Sequence, residues 1–75
     1  MSNRWHTLHI EQDGRRVAYS HAYRAGHRDL GKVELQPHTN TWVAFCWGRA
    51  QSVATVAEGK RWVEERAIEE ALARG

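Results

Sequence analysis

The chain alternates between short segments that repeat every two residues and one long segment that repeats at helical spacing. Asp13-Gly14 is the clearest local signal, because a two-residue hairpin turn needs positive φ at both positions and Asp-Gly tolerates that well. Folding the chain there, with Gln12 opposite Arg15, predicts strands over about 5–12 and 15–24. The pairs are Glu11 with Arg16, Ile10 with Val17, His9 with Ala18, Leu8 with Tyr19, Thr7 with Ser20 and His6 with His21. Leu8, Ile10, Val17 and Tyr19 then share one face, the face expected to be buried.

Residues 24–29 contain Gly26 among polar neighbours and read as a loop. Val33 and Leu35 alternate with Lys32 and Glu34 in a strand over 31–36 that Pro37 stops. The stretch 41–47 sets Val43, Phe45 and Trp47 against Trp42, Ala44 and Cys46, so both faces are apolar. Such a strand is central and covered on each side, or meets a partner. Gly48-Arg49 turns the chain into a last short strand over 50–53.

Thr55 then fits as the N-cap of a helix over about 56–74, with Glu58 completing a capping box. Val56, Gly59, Val63 and Ala67, flanked by Trp62, make the stripe that faces the sheet. A glycine inside a helix costs about 1 kcal/mol relative to alanine, so Gly59 implies a close approach of helix to sheet. Ala57, Ile68 and Leu72 form a second stripe, either the edge of the core or a contact surface, and Ile68 with Leu72 offers a homodimer contact. The predicted fold is therefore α+β, a single domain over 1–75. It consists of an antiparallel sheet of four to five strands with one C-terminal α-helix packed on one face.

From Trp42 to Ala67 the run WVAFCWGRAQSVATVAEGKRWVEERA resembles the C-terminal part of AP2/integrase-type DNA-binding domains and small phage-encoded domains similar to them. Trp42 and Ala44 match the strand of that pattern, Thr55 and Glu58 its helix start, and Gly59, Val63 and Ala67 its sheet-facing helix positions. Gln51 departs from the usual glycine, and the hairpin after Trp42 is short. The resemblance covers about a third of the chain. It implies a three-stranded sheet whose exposed face docks in a DNA groove with the helix behind it, and leaves the N-terminal hairpin unexplained.

Composition changes the picture of the core. In 75 residues, Leu, Ile, Val and Phe number only 13, while four Trp and two Tyr supply large rigid apolar units. A core resting on aromatics is expected, and a domain this small is marginal unless a partner helps it. The single Cys46 cannot form an internal disulfide, which favours a reducing, cytoplasmic setting. The longest apolar run, Trp42 to Trp47, is too short for a membrane span, so no membrane partner is expected.

The net charge of +2 conceals an asymmetry: residues 1–50 carry +3 and all five His, whereas residues 51–75 carry −1. Arg4, Arg15, Arg16, Arg24, Arg28, Lys32 and Arg49, with Trp5 among them, are the candidate residues for following a phosphate backbone or contacting a partner. The expected function is a non-catalytic binding module for nucleic acid or a nucleoprotein, of the phage or mobile-element accessory type. The alternative is a stoichiometric, anti-CRISPR-like inhibitor or adaptor that binds a host protein through exposed aromatics such as Trp5, Tyr23, Trp42, Trp47 and Trp62. His6 opposite His21 is the only metal candidate, and without further placeable ligands it reads instead as an ordinary His pair. No Gly-rich phosphate loop or paired carboxylates mark an enzyme, and no cofactor is expected.

Overall fold

A computed structural model describes residues 4–74; residues 1–3 and 75 of the predicted domain lie outside it. Five strands, β1 (Arg4–Gln12), β2 (Arg15–Ala25), β3 (Arg28–Gln36), β4 (Thr41–Cys46) and β5 (Arg49–Val53), precede one helix, α1 (Val56–Arg74). The strands form an antiparallel meander in sequence order, and α1 crosses one face of β3, β4 and β5.

Two-residue turns make three of the four connections. Asp13 and Gly14 both have positive φ, as do Trp47 and Gly48, while Gly26-His27 has positive φ at the glycine. The third turn corrects the loop expected over 24–29: β2 continues to Ala25 and β3 begins at Arg28. An irregularity between Tyr23 and Arg24 absorbs the extra residue, with Tyr23 opposite Gly31 and Arg24 opposite Asp29. Trp47, expected to end β4, belongs to the turn instead. Between β3 and β4 the chain needs four residues, closed by the Asn40 N–H donating to the Gln36 carbonyl at 2.8 Å.

The first hairpin follows the expected register from Gln12–Arg15 through His9–Ala18 and then departs from it. Tyr19 is an additional residue on β2, so Leu8 faces Ser20, Thr7 faces His21 and His6 faces Ala22. One inserted residue shifts every later partner. The predicted His6–His21 pair is thereby broken.

Val33, Ala44, Cys46, Val53 and Val63 form the buried core, with Trp5, Tyr23, Trp42, Trp62 and Ala67 packed around it. The aromatics thus surround a centre of small side chains. Gly31 and Gly59 allow this close approach: a methyl on Gly31 would come 2.7 Å from Val63, and one on Gly59 2.8 Å from Val33.

Thr55 caps the helix by accepting the Glu58 N–H at 3.1 Å. Glu58 in turn accepts the N–H of Ala54 at 3.3 Å, one residue earlier than a capping box predicts. The helix-facing side of the sheet carries Trp5, His21, Tyr23, Val33, Trp42, Ala44 and Cys46; the other side has no covering element among the described residues.

Candidate binding surface

Strand direction determines where the predicted residues gather. Arg4 and Arg24 face each other at one end of the first hairpin, next to Arg28 at the start of β3. Arg49 lies at the same end, opposite Cys46 in the register of β4 and β5. Arg15 and Arg16 sit at the other end, on the hairpin tip, with Arg16 opposite Glu11. The molecule is 46 Å long, and its cations form two groups with Lys32 between them.

Several of these cations have acidic neighbours. Arg24 Nε lies 2.9 Å from Asp29 Oδ1, within ion-pair distance but without hydrogen-bond alignment, so Nε lacks a hydrogen-bond partner. Lys32 donates to Glu34 at 3.2 Å. Both pairs are solvent-exposed enough to contribute little stability and to exchange readily for another anion.

On the helix-free face Lys32 Nζ stands 5.2 Å from the centroid of the Phe45 ring. Ala22 and Ala50 flank this pair and leave a shallow depression of about 550 Å³ that Trp47 and Arg49 also line. Arg28 lies over Trp47, with its guanidinium carbon 5.9 Å from the ring. Two cation–aromatic pairs therefore border one end of the sheet. Trp47 is 39% exposed and adopts a φ of 52°, a left-handed conformation that costs an L-residue about 1–2 kcal/mol.

Trp5, half-buried, also makes contacts within the molecule. Its indole N–H donates to Glu64 of α1 at 2.9 Å, its ring packs 4.8 Å from Tyr23, and Lys60 approaches from the helix at 5.4 Å. These contacts join the first hairpin to α1.

His21 accepts from, or donates to, the Thr7 hydroxyl at 3.1 Å and packs 5.7 Å from the Trp42 ring. Burial lowers its pKa from 6.5, and Lys60 and His9 lower it further. Among the described residues no group of three or more His, Cys, Asp or Glu is placed to hold a metal. Cys46 is buried and directs its thiol to the Leu30 carbonyl at 3.3 Å. Burial, assisted by Glu70, raises its pKa, while Arg66 acts in the opposite direction. The protonated thiol acts as a small packing group.

A second groove, of about 290 Å³, runs between the sheet and the last turns of α1, lined by Tyr23, Arg28, Leu30, Trp47, Ile68 and Ala71 among others. Ile68 beside it is 61% exposed and Leu72 77%. The alternation pattern did not identify Leu30, which lies where β3 carries its extra residue. No described helix is long and apolar enough to cross a membrane. Comparisons with family models, with curated proteins and with solved structures found no match to the chain.

Proposed function

We propose that the protein is a non-catalytic binding module that engages nucleic acid, free or within a nucleoprotein, through the helix-free face and the β3–β5 end of the sheet. The observation that carries this reading is the pairing of cations with aromatic rings at the β3–β5 end: Lys32 with Phe45 in the depression, and Arg28 with Trp47, whose ring lines both that depression and the groove beside α1. Aromatic faces stack on bases, and the adjacent cations meet the phosphates between them. Holding Trp47 at positive φ costs free energy that a glycine would not require, as expected where a ring is displayed for contact. Lys32 would exchange the Glu34 carboxylate for a phosphate.

Fluorescence anisotropy with labelled single- and double-stranded oligonucleotides tests the proposal. Binding at about 50 mM salt that weakens steeply as salt rises supports it, and no binding at that salt overturns it.

A second reading, a stoichiometric inhibitor or adaptor that binds a protein, is favoured by the exposed Ile68 and Leu72 beside the groove at the end of α1. It expects binding that tolerates salt and is lost with Leu72→Lys. The two readings share the same fold and use different faces of it.

A further inference from the structure

Of the four residues predicted to be buried on one face of the first hairpin, Val17 and Tyr19 are half-buried, whereas Leu8 and Ile10 are exposed. Leu8 and Ile10 are 48% and 46% exposed, and both lie on the side of the sheet away from α1. Among the described residues β1 is also a sheet edge of nine residues, paired to β2 alone, with no Pro or Lys within it to deter another strand. The opposite edge, β5, has only five residues and runs almost directly into α1.

We propose that β1 pairs antiparallel with β1 of a second copy about a two-fold axis at His9, joining the two sheets and covering Leu8 and Ile10. Identical antiparallel edges are related by an axis perpendicular to the sheet, so each residue must face one of the same parity. The two-residue turn makes Gln12–Arg15 a hydrogen-bonded pair, which directs the backbone groups of Glu11, His9 and Thr7 outward to the free edge. Centring the axis on His9 uses all three. His9 faces its symmetry mate, and Thr7 faces Glu11 of the second copy. Leu8 faces Ile10 of the second copy in a non-hydrogen-bonded pair, where side chains approach most closely.

The symmetry repeats the Leu8–Ile10 contact, so all four exposed side chains are covered while Val17, opposite Ile10, supports them from β2. An axis at Leu8 instead sets Ile10 against His6 and Trp5 against Glu11, leaving both apolar groups with poorer neighbours.

Shape and area agree with this occupant. The chain exposes 5627 Å², whereas a folded monomer of 8.7 kDa exposes about 4,700 Å². The radius of gyration is 13.0 Å, against about 11 Å expected for 75 residues. The excess area is close to the roughly 800 Å² that each partner contributes to a standard interface.

Sedimentation across a concentration series up to about 200 μM is the first test, because dimer population must rise with protomer concentration. A dimer that Leu8→Lys or Ile10→Lys weakens by at least about tenfold, and that Ile68→Lys leaves intact, is expected. A monomer throughout the series, or a dimer lost with Ile68→Lys instead, overturns the proposal. Should the lysine variants fail to fold, His9→Cys tests the same register at an exposed site. Its α-carbons would lie about 5.5 Å apart across the axis, within disulfide range, so mild oxidation gives a covalent dimer. Thr7→Cys would not crosslink. Absence of the His9→Cys crosslink, or an equal yield from Thr7→Cys, overturns the register. Oligonucleotide binding is not part of these measurements, so their outcome is independent of the nucleic-acid reading.

Discussion

Val33 occupies the space that a side chain on Gly59 would need: a methyl there would lie 2.8 and 3.0 Å from the two Val33 methyls and 3.1 Å from Val53. Val33 is fully buried in the middle of the sheet and has no room to retreat. Helix propensity alone would make Gly59→Ala stabilising by about 1 kcal/mol. Overpacking of this kind costs about 1–3 kcal/mol, and the backbone of α1 would have to lift from β3 to relieve it. Gly59→Ala is therefore expected to lower stability, measured as the urea midpoint at unchanged m-value. A raised midpoint would show that the helix sits farther from the sheet than described.

Trp5 and Glu64 connect the first hairpin to the helix by a hydrogen bond with a charged acceptor. Such bonds contribute about 1.5–3 kcal/mol when well shielded, and this one is only partly buried, so Trp5→Phe should cost about 1 kcal/mol. Glu64→Gln keeps an acceptor and should cost less. Amide hydrogen exchange provides the sharper readout, since the loss should appear as faster exchange in β1 with β4 unchanged. Uniform acceleration through both strands would mean that the contact does not act locally.

His21 makes stability depend on pH. Its folded-state pKa is lowered below the ordinary 6.5, so the folded protein binds this proton less readily than the unfolded chain. The contribution is fully present above about pH 6.5 and is lost as pH falls through the lowered folded value. Chemical denaturation at pH 7.5 and pH 5 should show wild type losing more stability on acidification than His21→Gln. Equal losses would remove His21 as the source.

Features governed by a few neighbouring residues could be read directly from the sequence. Asp13-Gly14 gave its turn because both φ values are positive, Thr55 and Glu58 marked the helix start, and Gly59 indicated the close packing on Val33. The register beyond His9 could not be read in the same way, because an inserted Tyr19 carries no local composition signal and yet moves every later partner. The exposure of Leu8 and Ile10 is hidden from the sequence for a related reason. Alternation shows that two residues share a face, but the position of α1 decides which face is covered. Around Gly26-His27 the polar run reads as a loop over 24–29 and hides both the two-residue turn and the strands on either side of it. The charge split was visible as a sum, whereas its separation into two ends followed only from strand direction.

That separation distinguishes two ways of binding a polyanion. If the β3–β5 end is the contact, Phe45→Ala removes a stacking platform and should cost about 1–3 kcal/mol of affinity for a single-stranded oligonucleotide, with little change in the salt dependence. Arg28→Ala combined with Arg49→Ala should instead lower the slope of log affinity against log salt by about two. Arg15→Ala with Arg16→Ala, at the far tip of the first hairpin, should leave both quantities nearly unchanged. Anisotropy titrations at several salt concentrations measure all of these together. If the tip variants show the larger loss, the hairpin arm is the nucleic-acid contact, and the depression around Phe45 belongs to a different ligand.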